Sequence, residues 1–152
     1  MRKILYPALL LLCTNLAWAD ITVTGTKGMT STCQDLVGRW LGSGDLSATI
    51  ITPITCHYRG TANMYDLKSN GAFRVELSLH KESGSDLCSA NEFLALGGMC
   101  TNNAITLKQP NAELQGSLSE EGRSMSLAGK IKLNIFGNPV YADIKNVNLK
   151  KQ

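Results

Sequence analysis

Phe73, Val75, Leu77 and Leu79 alternate with Arg74, Glu76, Ser78 and His80. A period of two with one apolar face demands a half-buried β-strand, because successive strand side chains point to opposite faces. Just upstream, Ser69-Asn70-Gly71 forms a turn signal whose Asn-Gly pair favours tight hairpins. Residues 56–67 read as the partner strand, so antiparallel pairing across this turn is expected. The same period returns at Met125, Leu127, Gly129, Ile131, Leu133 and Ile135, which alternate with Ser, Ala, Lys and Asn. A turn at Phe136-Gly137-Asn138-Pro139 should follow. Val140, Ala142 and Ile144 then open a last strand, whose phase changes before Val147 and Leu149 as a β-bulge would require.

Between these anchors the pattern is shorter but of the same kind. Residues 21–24 are β-branched and alternate, as a strand or ordered arm; residues 25–32 read as loop, and residues 33–37 as a helical turn. A strand opens at Gly38. Residues 46–54 read as strand, with Pro53 placed at an edge or bulge. Residues 81–86 read as loop. Residues 87–96 are open to two readings: a short helix capped by Ser85 or Asp86 and ended by Gly97-Gly98, or a strand over 93–99 turning at Thr101-Asn102-Asn103. Strands are expected at 104–108 and 114–118, separated by Pro110-Asn111, with a turn at 119–122 after the second. The tail Lys150-Lys151-Gln152 is expected to fray. Strands with turn signals every 8–12 residues mark an all-β sandwich or barrel. The expected fold is an antiparallel meander of about eight strands closing into a barrel or flattened barrel.

The N-terminus places the chain outside the cytoplasm. Met1-Arg2-Lys3 is a positive start, residues 4–12 are apolar apart from Pro7, and Ala17-Trp18-Ala19 before Asp20 is a small-x-small cleavage pattern. The apolar run is about half the ~20 residues that span a bilayer, so a cleaved signal over 1–19 is expected, followed by one domain over 20–152. Leu12 before Cys13 lacks the small residue that lipid-attachment sites carry. Removing 19 of 152 residues leaves 133, and without Arg2 and Lys3 the 15 basic residues fall to 13 against 12 acidic. A near-neutral chain offers no electrostatic footprint for nucleic acid or an anionic membrane. After cleavage the cysteines are Cys33, Cys56, Cys88 and Cys100, an even set in an oxidising compartment, which implies disulfides. Four cysteines allow three connectivities; proximity in sequence favours Cys33–Cys56 and Cys88–Cys100. Periplasmic or secreted localisation follows.

Gly38-Arg39-Trp40, with Leu36-Val37 just before it, resembles the Gly-x-Trp start of lipocalin-like, or calycin, barrels. The resemblance implies a helical turn before the motif and a tryptophan that closes one barrel end from beneath. It also implies a small apolar ligand held inside. The hairpin from 114–118 to 125–127 is similar to those of small exported barrels. The chain departs from the family in lacking an acidic turn before an Arg near its last strand, which leaves the likeness resting on the first motif. A second and looser likeness, through Ser83-Gly84-Ser85, is to exported barrels that inhibit lysozyme.

Catalytic chemistry finds little support. His57 adjoins Cys56, but a Cys-His pair needs a free thiolate, which oxidation removes. His80 falls on the polar phase of its strand. No Gly-x-Ser-x-Gly elbow or phosphate-binding Gly-Lys-Ser/Thr loop occurs, and Gly42-Ser43-Gly44 sits in a strand context. Glu120-Glu121 are adjacent in a turn rather than set across a cleft, and Asp45, Asp66 and Asp86 fall near expected turns. Without a Cys-x-x-Cys spacing, a zinc site is not expected, nor is any cofactor. Tyr58 and Tyr65, seven apart in one strand, should face opposite sides. The expected function is non-enzymatic binding by a monomer. Trp40, Phe73, Val75, Leu77, Met125, Leu127 and Ile131 are the candidate lining residues, each equally suited to a core. The competing class is a protein–protein module, a secreted inhibitor or effector, acting through loops at one barrel end, with residues 81–89 the candidate loop.

Overall fold

A computed structural model describes residues 31–135 and 138–152. The export signal, the arm at 21–24, the loop at 25–30 and the turn residues Phe136 and Gly137 lie outside them. The described chain holds one helical turn, α1 (Ser31–Gln34), and eight strands: β1 (Gly38–Thr49), β2 (Pro53–Tyr65), β3 (Ala72–Gly84), β4 (Asn91–Thr101), β5 (Ala104–Gln109), β6 (Ala112–Leu118), β7 (Ser124–Ile135) and β8 (Asn138–Lys151). Each strand pairs antiparallel with the next, and β8 returns to pair with β1, closing an up-and-down barrel.

The hairpin at Asn70-Gly71 is present but longer than a tight turn. Asp66 takes a positive φ of 55° and ends β2 at Tyr65, while Gly71 has a φ of 88°, which side chains rarely tolerate. Gly71 N donates to Lys68 O at 2.9 Å, and Asn70 Oδ1 accepts from Ala72 N at 3.0 Å. The expected bulge in β8 also exists. Leu127 pairs with Val147 and Gly129 with Ile144, so Lys145 and Asn146 fall out of register, and Asn146 has a φ of 53°.

Four expectations are corrected, and one alternative left open is resolved. The segment 46–54 is two strands, because Ile50–Thr52 turn the chain and Pro53, which has no N–H to offer a ladder, opens β2 opposite Thr49. Residues 81–84 belong to β3: polar side chains appear there because the strand reaches the barrel end, and the alternation runs to Lys81 before the pairing with β2 shifts register at Glu82. Of the two readings of 87–96, the strand is realised, as β4 from Asn91. The C-terminal lysines do not fray, since Lys150 pairs with Leu41 and Lys151 with Trp40 when the barrel closes. The helical turn begins at Ser31 and ends at Gln34, slightly earlier than 33–37.

Two disulfides join Cys33 to Cys100 and Cys56 to Cys88, replacing the pairing that sequence proximity favoured. Cys88 precedes β4 and Cys100 ends it, so they are roughly 30 Å apart along an extended strand of ~3.3 Å per residue, beyond the ~7 Å that a disulfide allows between Cα atoms.

The closure puts two apolar clusters inside. The larger surrounds Trp40, with Leu36, Met64, Phe73, Val75, Ile105, Leu107, Met125 and the Cys33–Cys100 pair. It lies at the end where α1 sits, which we term the base. The smaller, Ala48, Ile54 and Ala142 with half-buried Leu46, Ile50, Ile131, Leu133 and Val140, lies at the opposite end.

Candidate functional site at the barrel mouth

The ladder registers assign every side chain to one face. Trp40 pairs with Ala62, Leu46 with Cys56 and Ala48 with Ile54, so even-numbered positions of β1 and β2 point inward. Tyr58 shares that face and pairs with Lys81, which continues the inward series Phe73, Val75, Leu77 and Leu79 on β3. Leu79 in turn pairs with Glu92, Leu77 with Leu94 and Val75 with Leu96. On β5 the inward series is Ile105, Leu107 and Gln109.

Burial along this inner face is uneven. At the base, Trp40 is fully buried, and its indole Nε1 donates to Leu36 O at 2.9 Å, so α1 plugs that end. Toward the mouth Ala48, Ile54, Cys56, Ala112 and Ala142 are buried, but many inward side chains are only half-buried: Leu46, Tyr58, Leu79, Lys81, Glu92, Leu94, Gln109, Ile131, Leu133 and Val140. Of the candidate lining residues, Trp40, Phe73, Val75, Met125 and Leu127 fill the packed base. Leu77 packs against that cluster while remaining half-buried, and Ile131 belongs to the mouth cluster.

The mouth is divided. One wall, from β1 and β6 to β8, is apolar through Leu46, Ala112, Ile131, Leu133 and Val140. The other, from β2 to β5, carries Tyr58, Lys81, Glu92 and Gln109. Over that polar wall folds the loop 85–90. Gly84, with a φ of 111°, bends the chain inward where a Cβ would strike Thr55 O and lie 2.6 Å from Cys56 Cα. Three inward side chains then hold the loop. Cys56 is bonded to Cys88, Tyr58 OH donates to Ser89 O at 3.1 Å, and Lys81 Nζ donates to Ser85 O at 2.9 Å and Cys88 O at 3.2 Å. Gln109 Nε2 donates to Ala95 O. Burial, then the Glu92 charge, pushes the Tyr58 phenol above its ordinary pKa.

Lys81 was missed, because its polarity put it in the expected loop 81–86, although it continues the odd-numbered series from Phe73 that would have found it. Glu92 was hidden: Phe93, the more apolar neighbour, points outward and is exposed, which disguises the inward phase of β4. Tyr65 faces outward, opposite to Tyr58, and its OH donates to Glu76 Oε1 at 3.0 Å.

The histidines lie outside the barrel wall. His57 Nδ1 is 2.7 Å from Asp45 Oδ1, and its Nε2 is 3.4 Å from Glu82 Oε2. His80 Nδ1 is 3.0 Å from Asn91 Oδ1. Both cysteine pairs are oxidised, so Cys56 offers His57 no thiolate. Among the described residues no cluster of three or more His, Cys, Asp or Glu could hold a metal ion, and no helix is long and apolar enough to cross a membrane.

The chain was compared with family models, curated proteins and solved structures. Nothing in any of the three matches it. The barrel interior and its mouth are therefore the features from which a function has to be argued.

Proposed function

We propose that this is an exported, non-enzymatic binding protein of lipocalin-like type that holds a small apolar ligand in the mouth half of its barrel. The observation that carries the reading is the contrast within one inner face: packed and plugged at the base, largely apolar at the mouth with most of its larger side chains only half-buried. Apolar side chains that a fold leaves partly wet gain by covering, at roughly 25 cal/mol per Å² removed from water, and an eight-stranded barrel has room for one small ligand. The disulfides point to an oxidising compartment, in keeping with export. The ligand-contacting residues on this reading are Leu77 and Ile131 of the original set, joined by Leu46, Leu79, Leu94 and Leu133, with the others forming the floor.

Native mass spectrometry on protein from the exported fraction of its host tests this. A chain cleaved before Asp20, four hydrogens lighter and carrying a releasable small molecule, is the expected result. Absence of any adduct, together with failure of long-chain apolar probes to bind the purified barrel, would overturn it. The second reading, a protein–protein module, is favoured by Ile51, 95% exposed, and Leu87, also exposed, both on loops at the mouth. On that reading Leu87→Asp abolishes capture of a partner while leaving small-molecule binding intact.

A further inference from the structure

The polar wall of the mouth has spent most of its donors and kept its acceptors. Lys81 Nζ gives two of its three hydrogens to Ser85 O and Cys88 O, and Tyr58 gives its single hydroxyl hydrogen to Ser89 O. Gln109 gives one amide hydrogen to Ala95 O. Left over are one hydrogen on Lys81 and one on Gln109, against a phenol lone pair, the Gln109 carbonyl oxygen and the whole Glu92 carboxylate. Glu92 faces inward opposite Leu79, diagonal to Lys81, yet Lys81 reaches up into the loop instead of across to it. Among the described residues no ion pair includes Glu92. The wall that faces it across the mouth is apolar and offers no hydrogen.

From this we infer that the ligand is an apolar chain ending in a cationic, hydrogen-bond-donating head such as a primary ammonium, with Glu92 as its counter-ion. The inference rests on the reading that the barrel binds a small apolar ligand. The chain lies against Leu46, Ile131 and Leu133, and the head meets Glu92, helped by the acceptor oxygens of Tyr58 and Gln109. Lys81, its charge solvated by two loop carbonyls, anchors the loop above the head. An anionic head would meet Glu92 as a like charge and find the Lys81 hydrogens largely engaged. The charge-assisted hydrogen bond between a cationic head and the carboxylate, which an alcohol cannot match, gives the discrimination its energy.

Calorimetric titration of the mature, oxidised barrel with dodecylammonium, dodecanol and dodecanoate, each below its aggregation threshold, separates the possibilities. Dodecylammonium should bind about tenfold tighter than dodecanol, the size expected for one hydrogen bond to a charged group, and dodecanoate weakest. In Glu92→Gln, whose thermal unfolding should match the parent because the Glu92 carboxylate has no hydrogen bond or ion pair to lose, the ammonium should fall to the level of the alcohol. Equal binding of ammonium and alcohol, or tightest binding of dodecanoate, would overturn the assignment of the head while leaving the binding reading intact. Failure of all three probes to bind would overturn the binding reading itself, and this inference with it.

Discussion

Asp45, on the outer face of β1, ties β8 to β2: its Oδ2 accepts from Asn146 Nδ2 at 2.9 Å and its Oδ1 lies 2.7 Å from His57 Nδ1. The Asn146 hydrogen bond, then that of His57, holds the Asp45 carboxyl below its ordinary pKa. A carboxylate depressed in the folded state contributes stability above its unfolded pKa and loses it as pH falls through the folded value. The midpoint of thermal unfolding should therefore drop more steeply below about pH 4 for the parent than for Asp45→Asn; parallel curves would deny the carboxylate this role. Trp40 is the opposite case, fully buried with its one polar atom satisfied by Leu36 O. Trp40→Ala leaves a cavity beneath the barrel and should cost about 3–5 kcal/mol in urea unfolding. The importance of Trp40 was legible in the sequence from its size and its place after a helical turn. The partners of Asp45 were not, because Asn146 lies 101 residues away and meets it only across the closing strand pair.

Among the elements, β3 and the loop after it show how far periodicity reaches. The alternation from Phe73 onward extends to Lys81, but polarity at 81–84 suggested a loop, since hydropathy cannot tell a strand leaving the core from a strand that has ended. The loop 85–90 takes its shape from Gly84 and from three tethers supplied by inward-facing residues of β2 and β3. Gly84→Ala forces a side chain into a left-handed backbone and against Thr55 O, at a cost of about 1–3 kcal/mol. Amide exchange over 85–90 should accelerate in that variant while β6 and β7 exchange as in the parent; uniform acceleration would show that the loop and barrel open as one unit. Lys81→Met removes the hydrogen bonds to Ser85 O and Cys88 O without removing the disulfide, so the same loop should loosen locally, with little change in the global midpoint.

For the whole molecule, the two disulfides close loops of different reach, with sequence separations of 67 and 32. Chain-entropy arguments assign each about 4 kcal/mol, the longer slightly more. The Cys33→Ala/Cys100→Ala double variant, which also frees α1 from the base, should therefore unfold at lower urea than Cys56→Ala/Cys88→Ala; the reverse order would place the stabilising constraint at the mouth. The sequence by itself determined the all-β class, the antiparallel neighbours and the bulge in β8, because a period of two and the turn residues are local properties that need no partner. It also determined that the four cysteines would be oxidised in pairs. Which cysteine meets which, whether the last lysines fray, and which inward residues are packed or left half-buried were decided only by tertiary structure. Those depend on β8 meeting β1 and on α1 plugging one end. Glu92 came to face the mouth by the same closure: a strand's alternation says that two faces exist, and only the closed barrel says which of them is the inside.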